Sequence, residues 1–321
     1  MGYNIENYRT VRTMLEERRL EAVRTAEVRT EEIHRRSPEI AEIDRALATT
    51  GMQLFREATA GEPNLAERIA AVRREHENLR AVRADLLGAL GLAADYTEPA
   101  YACRDCRDTG FVDAVMCPCM RRALVAEGIR SSGLGSLYAR QSFENFSLKY
   151  YNTSPEDLER ASYAVERARA YAEGFGPESG NLLLMGPTGL GKTHLSTAIA
   201  HTVIEKGYDV VYETMQNVIA DFEYDRFKSG YGEAASRGDR YLACELLILD
   251  DLGTEQTNGF VVSTLYHLLN TRLNHGRSTV INTNVGGEEL RARYSDRVTS
   301  RLLGEYELLL FSGHDIRMQK L

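Results

Sequence analysis

Gly186-Pro187-Thr188-Gly189-Leu190-Gly191-Lys192-Thr193 is followed, 60 residues on from its first residue, by Leu246-Leu247-Ile248-Leu249-Asp250-Asp251. The first stretch is G-x-x-x-x-G-K-T, a glycine-rich turn whose backbone N–H groups cradle phosphates. The second is an apolar run ending in two carboxylates, the arrangement that places a Mg²⁺ ligand and a water-polarising group at a strand end. In this order and at this distance, the two imply nucleotide hydrolysis on a parallel sheet flanked by helices. The expected fold is α/β: a P-loop NTPase domain, preceded by an α-helical N-terminal region and a small four-cysteine zinc module.

The surrounding pattern supports that layout. From about residue 141, apolar runs alternate with helical stretches, as a parallel sheet covered by helices requires. Strands are expected at Asn181–Met185, Asp209–Tyr212, Glu245–Leu249, Thr279–Thr283 and Leu308–Phe311. Helices are expected at Lys192–Lys206, Met215–Phe222, Phe260–Asn274 and Asp296–Leu303. Residues 1–98 are rich in Arg, Glu and Ala and read as helices. Ser37-Pro38 is a cap with a first-turn proline, and Gly61-Glu62-Pro63-Asn64 is the next break. Beyond it Leu65, Ile69, Val72, Leu79, Val82, Leu86 and Leu90 fall on one helical stripe, with His76 as a packing or edge residue. Three zones result: 1–98, a helical region whose charges form a solvated face or, alternatively, a partner-binding surface; 99–140, a zinc module and linker; and 141–321, the ATPase domain.

The 321 residues carry a net charge of −8, which disfavours a broad, non-specific hold on duplex DNA. A local patch could still hold a single strand. No apolar run has the length of a membrane span and no signal layout opens the chain, so the expectation is a cytoplasmic protein without membrane contact.

Four of the five cysteines cluster as Cys103-x₂-Cys106 and Cys117-x-Cys119, ten residues apart, with Gly110 expected at the turn between the pairs. Thiolates are soft ligands suited to tetrahedral Zn²⁺, and a closed four-thiolate site is structural. Two disulfides or a redox pair are the alternatives, and a cytoplasmic setting counts against the first. Cys244 reads as a core residue.

In the phosphate loop, Gly186, Pro187, Thr188, Gly189, Leu190, Gly191, Lys192, Thr193 and His194 form the expected ATP/ADP cradle. Lys192 would reach the β- and γ-phosphates, Thr193 and Asp250 would hold Mg²⁺, and Asp251 would polarise the attacking water. Asn284, or Asn282 as second choice, ends a β-rich run where an amide could sense the γ-phosphate. Arg297 and Arg301 lie four apart on a helix and share a face. They suit either surface ion pairs or delivery to a neighbouring subunit's nucleotide. Arg317 is a further candidate for phosphate contact. Phe143 and Phe146 could pack on the adenine or in the core. Glu223–Tyr231 interleaves aromatic and basic residues, as strand-stacking loops do, or is a plain surface loop.

With Cys103-x₂-Cys106 and Asp108-Thr109-Gly110, Asn181–Leu184, Leu246–Glu255, Ser278–Asn284, Tyr294–Leu302 and Gly313–Lys320, the chain resembles the DnaC/DnaI-type helicase-loader ATPases. These are a branch of the AAA+ class that includes the transposition helper IstB. The resemblance implies an ATPase that binds the hexameric replicative DNA helicase and helps place it on single-stranded DNA. It also implies that Asn284 is the first sensor, Arg301 the arginine finger used in self-assembly, and Arg297 its neighbour. Asp251 stands where many AAA+ members have Glu, which implies slow hydrolysis. The chain is expected to lack a full helical lid, with Arg317 taking part of its role. An IstB-like helper acting with a transposase, an adaptor using ATP only as a structural ligand, and a small-molecule kinase are the other readings.

Overall fold

The computed structural model describes residues 3–59, 65–228 and 236–319. The Gly61–Asn64 break, the Leu65 side chain, residues 229–231 of the aromatic–basic segment and Lys320 lie outside the described residues. The chain forms two compact units, Arg12–Cys119 and Met1–Val11 with Met120–Leu321.

The smaller unit holds three helices and a hairpin. Helix α1 (Ile5–Arg36) ends where Ser37-Pro38 starts α2 (Pro38–Thr59), and α3 (Leu65–Ala89) follows. The Ser37 hydroxyl accepts from Ile40 N–H at 3.4 Å, the N-cap expected from the sequence. Ile33, Ile40 and Leu87 are fully buried together, edged by Leu86, Leu90, Leu92 and Tyr96. The stripe expected on α3 is therefore corrected: Leu87 is its anchor, while Val82 is exposed and Ile69, Val72, Leu79 and His76 are only half-buried. Asp44 joins the helices by accepting from Arg83 Nε at 2.5 Å and bonding His34 Nε2 at 2.8 Å. The hairpin is β1 (Phe111–Val112) with β2 (Val115–Met116).

The larger unit is built on a five-stranded, all-parallel sheet in the order β4-β5-β6-β3-β7. Its strands are β3 (Leu182–Met185), β4 (Val210–Thr214), β5 (Leu246–Leu252), β6 (Ser278–Thr283) and β7 (Glu307–Leu310). All five expected strands are present within a few residues of their expected limits. Alternation along β3 divides the core. Leu182 and Leu184 pack with Leu195, Ile199 and Val203 on one face, and Leu183 packs with Leu247, Leu249, Leu265 and Ile281 on the other. Helices α7 (Lys192–Glu205) and α10 (Gly259–Asn274) match expectation; α8 (Met215–Lys228) runs six residues past the expected Phe222, so Glu223–Lys228 of the aromatic–basic segment is helix and not the expected loop; α4 (Pro118–Ser131), α5 (Leu137–Arg140) and α9 (Asp239–Ala243) fill the connections.

Helices α6 (Pro155–Gly174) and α11 (Gly287–Gly304) also differ from the sequence reading. Helix α6 was not expected; Ser154 caps it by accepting from Asp157 N–H, and Ala161, Ala164, Ala168 and Ala172 bury a stripe of methyl groups. Such a stripe permits close helix packing but carries a weak hydropathy signal. Helix α11 starts nine residues before the expected Asp296 and bends at Ser295, whose φ is 73°. The C-terminal turn is α12 (Ile316–Gln319).

Candidate nucleotide site

The phosphate loop leaves β3 at its C-terminal end, and α7 starts from it. Gly191 is the N-cap of α7 with φ 78°, and a Cβ there would lie 2.9 Å from the Tyr151 hydroxyl. Gly189 has φ 74°, and a Cβ there would lie 1.9 Å from Asp315 Oδ1. Only glycine adopts this backbone without strain and leaves that space. The loop is held from outside: Tyr151 donates its hydroxyl proton to Leu190 O at 2.7 Å, and Ile316 N–H donates to Gly189 O at 3.1 Å.

Lys192 curls back over the loop, and its Nζ donates to Gly186 O at 2.6 Å and Pro187 O at 2.7 Å. Burial pulls its pKa below the ordinary lysine value, opposed by Asp250 and Asp251. The loop carbonyls hold the ammonium next to the pocket, within reach of an incoming phosphate.

Asp250 ends the apolar part of β5 and is buried. Its Oδ1 accepts from Asn282 Nδ2 at 2.8 Å, from Asp251 N–H at 3.0 Å and from Thr193 Oγ1 at 3.3 Å. The Tyr212 hydroxyl donates to its other oxygen. Asp251 breaks the strand: its φ is 57°, and the β5–β6 register shifts between Leu249 and Leu252. The break turns Asp251 out of the sheet and into the pocket. Partial burial, then the charge of Asp250, pushes its carboxyl above the usual range. A carboxylate with a raised pKa accepts a proton more readily, which suits a group beside an attacking water.

These groups open into one pocket of about 210 Å³, lined among others by Thr188, Lys192, Thr193, Asp251, Asn284 and Arg317. The far end is formed by Gln141, Asn145, Phe146, Ser147, Tyr150 and Tyr151. Phe146 lies in the pocket, stacked 5.9 Å from Tyr151, whereas Phe143 is buried in the core under Arg169. His194 lines the pocket, but its Nε2 meets Ser142 O at 2.9 Å and its ring stands edge-on to Phe146. It ties the 142–146 segment to α7. Thr193 and Asp250 converge as hard oxygen donors of the kind Mg²⁺ takes.

The two asparagines separate. Asn284 is exposed and lines the pocket; Asn282 is buried behind Asp250. Arg297 and Arg301 are not among the pocket's lining residues. Arg301 donates to Asn270 Oδ1 at 2.9 Å and Tyr266 OH at 3.0 Å, and its guanidinium lies over the Tyr266 ring. Sequence reasoning missed Tyr151, Asp315 and Tyr212. The aromatic run before the domain hinted at Tyr151; nothing local marks the other two.

Residues 163–319 match the family model of IstB-like ATP binding proteins. That stretch is IstB-like. Among relatives, the replicative helicase loader DnaC of Escherichia coli is 25% identical over 187 residues, covering 58% of this chain and 73% of the relative. A putative insertion sequence ATP-binding protein of Sinorhizobium fredii is 30% identical over 142 residues, covering 43% of this chain and 56% of the relative. The crystal structure of the DnaC helicase loader aligns with 24% identity and a TM-score of 0.45, over 53% of this chain and 98% of that one. The chain is a DnaC-like, ATP-binding AAA+ ATPase. None of the helices among the described residues is long and apolar enough to cross a membrane.

The cysteine cluster lies outside the stretch matched by the IstB-like family. All four sulfurs lie within 4.8 Å of one another, with Cys103–Cys117 at 3.7 Å and Cys106–Cys119 at 3.4 Å. Tetrahedral Zn²⁺ with Zn–S of about 2.3 Å needs S···S near ~3.8 Å, so the set fits one such ion. No disulfide joins the five cysteines. Buried Asp108 accepts from Ala102 N–H at 2.8 Å, Cys103 N–H at 3.0 Å and Arg18 at 3.1 Å. It shapes the knuckle carrying the first pair. Gly110 is not at the hairpin tip as expected. Asp113 and Ala114 form the tip with φ of 48° and 67°, and Gly110 accepts from Cys117 N–H at the base. Cys244 is buried in the ATPase core, as expected.

Proposed function

We propose that this protein is an ATP-driven helicase loader: it binds the hexameric replicative DNA helicase and assists its placement on single-stranded DNA. The observation that carries the reading is the convergence of Lys192, Thr193, Asp251 and Asn284 on one pocket, with Asp250 behind it, in a chain similar to the Escherichia coli replicative helicase loader. In this reading the 186–194 segment cradles ATP or ADP, with Lys192 on the outer phosphates. Thr193 and Asp250 hold Mg²⁺, which neutralises phosphate charge. Asp251 orients the attacking water, and Asn284 senses whether the γ-phosphate is in place. Phe146 packs on the adenine, and Arg317 approaches the phosphates from the C-terminal segment.

Hydrolysis is slow and partner-stimulated, since Asp251 is a short carboxylate. Arg301, with Arg297 beside it, serves a neighbouring subunit: it lies outside its own pocket and is held ready by Asn270 and Tyr266. Residues 1–98 contact the helicase, the 99–140 module is organised by Zn²⁺, residues 141–321 run the ATP switch, and the protein works in the cytoplasm.

The test is co-migration with the replicative helicase of the same host, by light scattering, with ATP and with ADP. A complex that persists without the ATPase domain but is lost without residues 1–98 supports the loader. No complex in either nucleotide state overturns it. The second reading is an IstB-like transposition helper, favoured by the 30% identity to an insertion sequence ATP-binding protein. Retention by a transposase on DNA, with no helicase complex, would establish that reading instead.

A further inference from the structure

We infer that Tyr212 is a positioning residue for the ATPase reaction: its phenol clamps Asp250 from the strand behind it, so that the other carboxylate oxygen faces Thr193. The inference rests on the assignment of Asp250 as the residue that holds Mg²⁺.

The geometry has four parts. Tyr212 sits on β4, next to β5 in the sheet, and only 7% of it is exposed. Its hydroxyl donates to Asp250 Oδ2. The remaining described bonds of Asp250, from Asn282, Asp251 N–H and Thr193, all end on Oδ1. The two carboxylate oxygens are therefore divided: Oδ2 is bonded by Tyr212 of β4, and Oδ1 by Asn282 of β6, the Asp251 backbone and Thr193. Asn282 Nδ2 also donates to Ser196 Oγ at 2.7 Å, while its Oδ1 is buried and meets no donor among the described residues. Asn282 is thus placed for its amide hydrogens, and it works with Tyr212 as a pair of buried donors from the strands on either side of β5.

The phenol is an uncharged hydrogen-bond donor. A neutral donor orients the carboxylate without cancelling the charge that attracts a cation. A carboxylate left free to rotate loses that aim, and a side chain must be held within a narrow angle for metal work.

The test uses the full-length protein and a fluorescent ADP analogue, titrated with Mg²⁺ at fixed nucleotide. Tyr212→Phe keeps the ring and removes the hydroxyl. The expected result is a Mg²⁺ half-saturation raised about five- to tenfold, the size of one buried hydrogen bond. Metal-free ADP affinity should be unchanged. Asn282→Ser should move the same parameter in the same direction, so the idea stays testable if Tyr212→Phe does not fold. An unchanged Mg²⁺ response, a tighter one, or equal weakening with and without Mg²⁺ would each overturn the inference. Asp250→Asn separates the two layers. If it leaves the Mg²⁺ response intact, the metal assignment of Asp250 fails; if it abolishes the response while Tyr212→Phe does nothing, only the role of Tyr212 fails.

Discussion

The nucleotide pocket and the cysteine cluster are both small constellations of ligand-type side chains, but they are built in opposite ways. Asp250, Thr193 and Lys192 sit on elements whose packing is complete without a ligand: β3, β5 and β6 are buried on both faces, and α7 is packed beneath them. The cysteines sit on a knuckle before a hairpin of two-residue strands and, beyond it, at the start of α4, with Phe111, Val112 and Val115 exposed. One site is positioned by a hydrophobic core. The other has almost no core, and a bound ion would supply its cohesion. The difference teaches that similar ligand density can mean chemistry in one place and architecture in another.

The largest effects should divide along this line. Lys192→Ala is expected to lower ATP turnover by roughly 10²–10³, as for loss of one preorganised charge-stabilising donor. The melting temperature should not fall, because burying that ammonium is itself unfavourable. Stopped-flow phosphate release and calorimetry measure the two. Cys106→Ser should do the reverse: hydrogen exchange should show loss of protection across residues 102–119, with ATP turnover unchanged. If Cys106→Ser also silences the ATPase, the contrast breaks.

A smaller effect is expected from Gly189→Ala. The left-handed backbone costs an ordinary residue about 1–2 kcal/mol, and the new methyl group would displace Asp315 from the loop. ADP affinity should fall about tenfold, measurable by titration calorimetry. The cysteine cluster should be untouched.

The smallest is electrostatic. Arg167 donates to Glu307 through Nε and Nη2 at 2.6 and 2.7 Å. This holds the Glu307 carboxyl below its ordinary value. A depressed folded pKa gives stability that is present above the unfolded value near 4.5. That stability is lost as pH falls through the lowered folded pKa. Both groups are part-exposed, so Arg167→Gln should lower stability only slightly at neutral pH and not at all in strong acid. Denaturant melts at the two pH values check this, and the signal should appear in the ATPase unit alone.

Legibility followed the same division. The phosphate loop, the carboxylate pair and the four cysteines were readable because each needs particular residue types at close sequence spacing. The five strands were readable because their apolar runs are nearly continuous, as in a sheet covered on both faces. Helix α6 was not, because its buried face is alanine, and Leu87 was not, because it falls one position off the stripe formed by Leu86 and Leu90. The hairpin tip was misplaced because Asp113 and Ala114 adopt left-handed conformations that glycine, already present at 110, was expected to supply.

What the sequence determined by itself is the list of chemical parts: a cradle for phosphate, a carboxylate pair, an amide after the next strand, and four thiols. Only the tertiary structure decided how they are partnered. It set Asn282 behind Asp250 and Asn284 in the pocket, although the two are adjacent in strand periodicity and alike in chemistry. It brought Tyr212, 38 residues from Asp250, to that carboxylate, and Asp315 to Gly189. The physical reason is that strand order is not chain order. β5 lies between β4 and β6, and β3 between β6 and β7, so each site residue meets neighbours chosen by sheet topology, which local sequence spacing does not encode.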